Sequence, residues 1–203
     1  RVEPGVVCDA LRASAERFGL TFGPDPATHS RCTLGGMIGN NSCGAHSVMA
    51  GKTVENIEAL EVLTYDGARF WCGPTSEAEL DAIVRRGGRQ GEIYARLRSL
   101  RDRYGDLIRQ RFPTIKRRVS GYNLDEFTGD GAMDLARMIV GSEGTLAIVT
   151  SAKVTEILDD GVTFIRNGES ESIRGVDKVI LAVGAKPVDG LSEWARHRVA
   201  EVY

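Results

Sequence analysis

The chain has 203 residues, 42% of them hydrophobic and 27% charged, enough apolar material for one large domain or one domain with a small appendage. A formal charge of −2 gives no general attraction to nucleic acid or anionic lipid, and no apolar run approaches the roughly 20 residues of a membrane-spanning helix. Cys8, Cys32, Cys43 and Cys72 form no C-x-x-C pair and have no histidine at zinc-finger spacing, so reduced thiols, a cytoplasmic setting and no metal are expected.

The chain opens on Arg1-Val2-Glu3-Pro4-Gly5, strand-like residues running at once into a turn, which reads as a piece of something longer. Val7, Leu11, Ala15 and Phe18 then recur at helical spacing and predict a helix over 6–18, stopped by Gly19. Residues 21–52 are rich in glycine, serine and asparagine with little periodicity; so long a stretch without regular structure is expected to serve a ligand. Alternation through Ala59, Glu61 and Leu63, the Asp66-Gly67 turn and the return along Arg69-Phe70-Trp71 predict a hairpin over 57–73.

Ser76 with Glu79 three residues on is a capping box and opens a helix over 76–86. A second helix, 92–112, places Tyr94, Leu97, Leu100, Tyr104, Leu107 and Ile108 on one stripe with many arginines opposite, and Pro113 limits it. Lys116-Arg117-Arg118 lacks interleaved aromatics, so it reads as a solvated face or a lining for an acidic ligand and not as a nucleic-acid patch. A loop over 120–131, a short helix through Leu135, Met138 and Ile139, and a β-rich run over 145–154 follow. Composition changes near Val154. Beyond it come a strand over 162–165, a turn at Asn167-Gly168, a buried-type strand over 179–184 and a helical fragment over 192–200.

The 24 glycines cluster, and the densest cluster is Cys32-Thr33-Leu34-Gly35-Gly36-Met37-Ile38-Gly39-Asn40-Asn41-Ser42-Cys43-Gly44. Residues without side chains let backbone N–H groups approach an anion or a ring edge, which suits a loop around a large polar cofactor. A purely structural glycine-rich loop fits the same residues, and neither a Walker loop nor a G-x-G-x-x-G after a strand is present.

This segment, with Gly23-Pro24-Asp25-Pro26 before it and Gly51-Lys52-Thr53 after it, resembles the FAD-linked oxidase family, which shares the vanillyl-alcohol oxidase / p-cresol methylhydroxylase type of FAD-binding domain. Val140-Gly141-Ser142-Glu143-Gly144-Thr145-Leu146-Ala147-Ile148-Val149-Thr150 is similar to a second signature of that family, in the right order, so the resemblance covers 1–154. It implies FAD as cofactor and a parent enzyme that oxidises a small 2-hydroxy acid by hydride transfer to the flavin. It implicates Thr33, Gly35, Gly36, Asn40, Ser42 and Gly44 in one loop and Glu143, Gly144 and Ile148 in the other. A structural, ion-paired role for Glu143 and an ordinary loop role for His46, in place of a covalent flavin tether, remain open.

The family's pyrophosphate-gripping subdomain, its substrate or cap domain and its iron–sulfur cysteines have no counterpart here. No catalytic acid or base is assignable, and Asp25, His46 and Lys52 read equally well as structural. The tail, 155–203, resembles a fragment of the pyridine-nucleotide-disulfide reductase fold, closest to flavin reductases fused to old yellow enzyme barrels, without that family's dinucleotide glycine loop. The expected fold is α+β, a mixed, largely antiparallel sheet flanked by the helices at 6–18, 76–86 and 92–112. A non-catalytic interaction module is the alternative, since half a cofactor site leaves apolar surface that favours oligomers.

Overall fold

The computed structural model describes residues 1–115, 117–128, 132–154, 157–158, 161–166 and 169–174. The chain forms two units, 1–159 and 160–203. The first begins with helix α1 (Cys8–Glu16), inside the expected 6–18 window, and a short strand β1 (Leu20–Thr21).

The stretch expected to lack regular structure holds two helices, α2 (Leu34–Asn40) and α3 (Ser47–Ala50). Helix α2 forms because Leu34, Met37 and Ile38 fall at i, i+3 and i+4 and are all buried. Thr33 caps it by accepting the Gly36 N–H, and Asn41 ends it in the left-handed region at φ 47°. Three glycines among seven residues hide that apolar stripe from a reading by composition.

A single 3-10 turn over 53–56 leads into β2 (Ile57–Leu63), which turns through Gly67 (φ +89°) into β3 (Arg69–Cys72). The expected hairpin is present, with Leu60 opposite Cys72 and Leu63 opposite Arg69. Strand β4 (Pro74–Ser76) runs into α4 (Glu77–Arg86), where Ser76 and Glu79 make both halves of the capping box. The long helix α5 (Gly88–Arg111) starts four residues before the expected 92. Strand β5 (Ala132–Asp134), helix α6 (Leu135–Ile139), β6 (Ile148–Val154) and β7 (Ile157–Leu158) complete the unit.

Every strand pairing described is antiparallel. A three-stranded sheet runs in the order β3-β2-β6, and β4-β5 and β1-β7 are separate two-stranded ribbons. The α+β expectation therefore stands, with its strands divided among several small sheets. The core gathers Leu60 and Val62 of β2, Met37 and Ile38 of α2, Leu80 of α4, Tyr94 of α5 and Ile139 of α6.

One expected stripe is corrected. On α5 the buried residues are Gly91, Tyr94, Gly105 and Ile108, while Leu100, Tyr104 and Leu107 face solvent. Glycine sets this rotation: a Cβ on Gly91 would stand 3.0 Å from the Ile83 carbonyl oxygen, so α5 packs against α4 along its glycine line. Arg98 and Arg101 lie on the same side and pair with Asp81 (2.7 Å) and Glu77 of α4.

In the second unit, β8 (Gly161–Arg166) and β9 (Glu169–Arg174) form an antiparallel hairpin from Gly161↔Arg174 to Arg166↔Glu169. The expected strand over 162–165 lies within β8, and β9 is an element the sequence did not reveal. The expected strand over 179–184 and helix over 192–200 lie outside the described residues.

Candidate functional site

The two sequence signatures meet. The Gly141 N–H donates to the Ile38 carbonyl at 2.8 Å and the Glu143 N–H to the Gly39 carbonyl at 3.0 Å, so the turn over 141–145 is bonded along α2. Positive φ at Gly141 (86°), Glu143 (51°) and Gly144 (76°) curls this turn back on itself. At Gly39 the two segments are in van der Waals contact, a Cβ there standing 3.8 Å from the Glu143 Cα.

The far side of the turn is also fixed. Asn123 Nδ2 donates to the carbonyls of Val140 (2.7 Å) and Arg137 (3.1 Å) at the end of α6. The Tyr65 hydroxyl donates to the Gly144 carbonyl. The hydroxyls of Tyr122 and Thr145 are 2.9 Å apart, and Thr145 Oγ1 donates onward to the Ser142 carbonyl at 2.6 Å. Between α2 and this turn lies a cleft of about 240 Å³ walled by Gly35, Gly39, Ile139, Gly144, Ala147 and Ile148.

The residues singled out in the sequence divide sharply here. Gly35, Gly144 and Ile148 line the cleft. Thr33 does not; its hydroxyl is occupied by the Gly36 N–H at 3.4 Å. Gly36 itself is exposed, and a Cβ there would meet only Thr33 Oγ1, at 3.5 Å. Gly35 is small for the protein's own sake as well, because a Cβ would lie 2.8 Å from the Pro4 Cβ. Gly44 is packed onto the Asp25 backbone, where any Cβ would overlap the carbonyl, and it is absent from the cleft wall. The carbonyl of Ser42 accepts two bonds from Thr53, at 2.9 Å and 2.7 Å, which ties it to the 3-10 turn. Asn40 is exposed, and the buried amide is its neighbour Asn41, whose Oδ1 accepts the Val54 N–H at 3.0 Å. Glu143 is exposed and its carboxylate has no partner among the described residues.

Hydrogen-bond accounting narrows what α2 can offer a ligand. Its first N–H groups are taken: Leu34 by the Val6 carbonyl, Gly35 by the Pro4 carbonyl, Gly36 by Thr33 Oγ1 and Met37 by the Thr33 carbonyl. In the turn over 141–145, the Gly144 N–H alone lacks a protein acceptor among the described residues. The cleft thus presents an apolar wall and, among the described residues, one free donor at Gly144.

The other polar candidates hold the 42–55 segment in place. His46 binds the mostly buried Asp25 carboxylate through both Nδ1 and its backbone N–H, the latter at 3.0 Å. Lys52 Nζ sits 2.9 Å from Glu55. Burial, and then the neighbouring Cys32, pushes the Cys8 thiol up to about 11; burial alone leads at Cys72, raised to about 12. Both behave as packing residues. Among the described residues no three His, Cys, Asp or Glu side chains converge as a metal site requires, and no helix is long and apolar enough to cross a membrane. A larger cavity, about 520 Å³, opens beside the cleft between the β2-β3 hairpin, α5 and α6, with Asp66 and Arg89 paired at its rim.

Residues 1–73 match the family described as "FAD binding domain". This part of the chain belongs to that family. D-2-hydroxyglutarate dehydrogenase of Pseudomonas putida is 34% identical over 155 residues, which is 76% of this chain and 15% of that protein. The Escherichia coli protein of the same name is 32% identical over 156 residues, again 76% of this chain and 15% of the relative. Glycolate oxidase subunit GlcD of Bacillus subtilis is 29% identical over 153 residues, 75% of this chain and 22% of its own. The chain therefore spans 15% to 22% of the length of these relatives. A solved alkyldihydroxyacetonephosphate synthase covers 77% of this chain and 20% of its own at 18% identity and TM-score 0.43, a likeness too loose to carry an argument.

Several FAD-domain residues at the cleft escaped the sequence reading. Gly39 and Ser142 stand inside the quoted signatures and could have been taken from them. Asn41, Tyr65, Tyr122 and Asn123 act through one or two hydrogen bonds to residues distant in sequence, which leave no periodicity or spacing to read.

Proposed function

We propose that residues 1–154 supply one wall of an FAD site in an oxidoreductase acting on a small 2-hydroxy acid, and that this portion does not complete a turnover by itself. The observation that carries the reading is the docking of the 141–145 turn along α2, which brings Gly35, Gly39 and Gly144 to one cleft, with the exposed Gly36 on the same helix. The residues fit such a group: Gly36 is exposed, with only Thr33 Oγ1 in ordinary contact where a side chain would start, and the Gly144 N–H has no protein acceptor among the described residues. The names of the relatives, dehydrogenases and an oxidase of hydroxy acids, support the substrate class.

When bound, FAD supplies hydride acceptance from the carbon that bears the substrate hydroxyl. This chain's part is placement. Gly36 and Gly144 set the approach of the backbone, Gly35 and Ile148 bound the cleft, and Ile139 and Ala147 keep it apolar. Thr33 acts by capping α2, while Ser42 and Gly44 act by anchoring the segment that follows. Asn40 and Glu143, both exposed, are assigned to contact through their accessible side chains. No proton-abstracting residue is assigned here. The tail, 155–203, is proposed as a separate reductase-like fragment joined near Val154, and a cytoplasmic setting is part of the same proposal.

The test is titration of the purified chain with FAD, with FMN and NADH as controls. Saturable FAD binding weakened about tenfold or more by Gly36→Val is expected. No binding at roughly 100 μM FAD by a folded sample overturns the reading.

A further inference from the structure

The solvent-facing line of α5 carries an apolar seam, and the charges beside it select what fits. Leu100, Tyr104 and Leu107 are 47%, 38% and 51% exposed. They recur at intervals of four and three residues, and half-buried Leu97 and Ile93 continue the line to the wall of the larger cavity. A continuous apolar strip on an otherwise charged helix is the mark of an association surface.

The arginines of α5 fall into two groups. Arg89, Arg98, Arg101 and Arg109 are each paired with a carboxylate. Arg96, Arg103 and Arg111, which flank or end the seam, have no acidic partner among the described residues, and the Arg103 guanidinium sits 5.0 Å from the Tyr104 ring centroid. A second copy laid antiparallel across the seam sets Leu100 against Leu107, but it also brings the Arg103 side chains of the two copies together and Arg96 toward Arg111. Like charges at such positions oppose pairing. A helix with acidic flanks meets the same apolar residues and neutralises all three arginines.

We propose that α5 is a docking surface for an acidic amphipathic helix of another protein, with aliphatic side chains at i, i+3 or i+4 and i+7 over Leu100, Tyr104 and Leu107 and carboxylates over Arg96, Arg103 and Arg111. The contact is small, so it is a transient one, with a dissociation constant on the order of tens to hundreds of micromolar. The inference is independent of the cofactor reading.

The full chain is titrated by fluorescence anisotropy with a labelled helical peptide of about 18 residues, leucines at that spacing and glutamates beside them. Controls are a lysine-for-glutamate peptide and a scrambled one. Saturable binding that Leu100→Ser with Leu107→Ser weakens tenfold or more, that Arg103→Glu also weakens, and that added salt reduces is the expected result. These side chains are exposed, so circular dichroism is expected to show the variants folded. Three results overturn the proposal: no saturation at roughly 1 mM peptide, equal binding of the lysine peptide, or sedimentation showing a dimer of the chain that Leu107→Ser dissolves. The last would assign the seam to a second copy.

Discussion

At the scale of single residues, three glycines written almost side by side in the sequence have different reasons to be glycine. Gly44 and Gly35 are held against the protein's own backbone and side chains, at Asp25 and Pro4, whereas a Cβ on the exposed Gly36 would meet only Thr33 Oγ1, at an ordinary contact distance of 3.5 Å. Gly44→Ala is therefore expected to cost about 2–4 kcal/mol or to prevent folding, because the clash is with backbone that cannot move aside. Gly36→Ala is expected to be neutral or to stabilise by up to about 1 kcal/mol, since alanine is the better helix former. Urea denaturation of the two variants checks this, and equal destabilisation would remove the distinction on which Gly36 is assigned to the cofactor and not to packing. Composition could show that glycines gather here; it could not show which of them face protein. The same limit explains Asn40 and Asn41: adjacent identical residues give no sequence clue that the second is buried in the left-handed turn that ends α2.

Among elements, what could be read depended on whether a local rule decided the outcome. The Ser76 capping box and the Asp66-Gly67 hairpin were legible because a few neighbouring residues suffice to make them. Helix α2 was missed because its stripe is only three residues long. The face of α5 was misjudged because two candidate lines run along the helix one residue apart, and the fit of Gly91 against α4 selects between them. Glu61 shows how the central sheet is tied together. Its carboxylate accepts from Arg69 of β3 at 2.7 Å and from Thr150 of β6 at 2.8 Å, so one side chain on the middle strand holds both neighbours. The Arg69 bond, followed by that from Thr150, keeps this carboxyl below its ordinary value of 4.5. A depressed carboxyl contributes stability that is present above the unfolded value and is lost as pH falls through the folded one. Glu61→Gln is expected to lower the urea midpoint at pH 7, and the gap from the parent chain is expected to close as pH drops below the ordinary value of 4.5. A gap that stays constant over that range would show that Glu61 acts through shape alone.

For the molecule as a whole, the family was legible from two short signatures, while their meeting was not: about a hundred residues separate Ile38 from Gly141, and only the fold places one on the other. The substrate side of the chemistry has no residue assigned in this chain, which spans 15% of the length of its dehydrogenase relatives. If FAD binds the folded unit and not the unfolded chain, mass action adds about 2.7 kcal/mol at a hundredfold excess over the dissociation constant. The thermal midpoint should then rise with FAD concentration, and the rise should vanish in Gly36→Val while that variant's midpoint without FAD stays near the parent's. A rise that persists in Gly36→Val would move the cofactor to another surface.

Val2 and Ala152 exchange both backbone hydrogen bonds, each 2.8 Å long, so residues far apart in the chain are stitched side by side at the edge of β6. A short linker between Val2 and Ala152 is therefore expected to let new chain ends be cut at the exposed Asp66-Gly67 turn with the core unchanged.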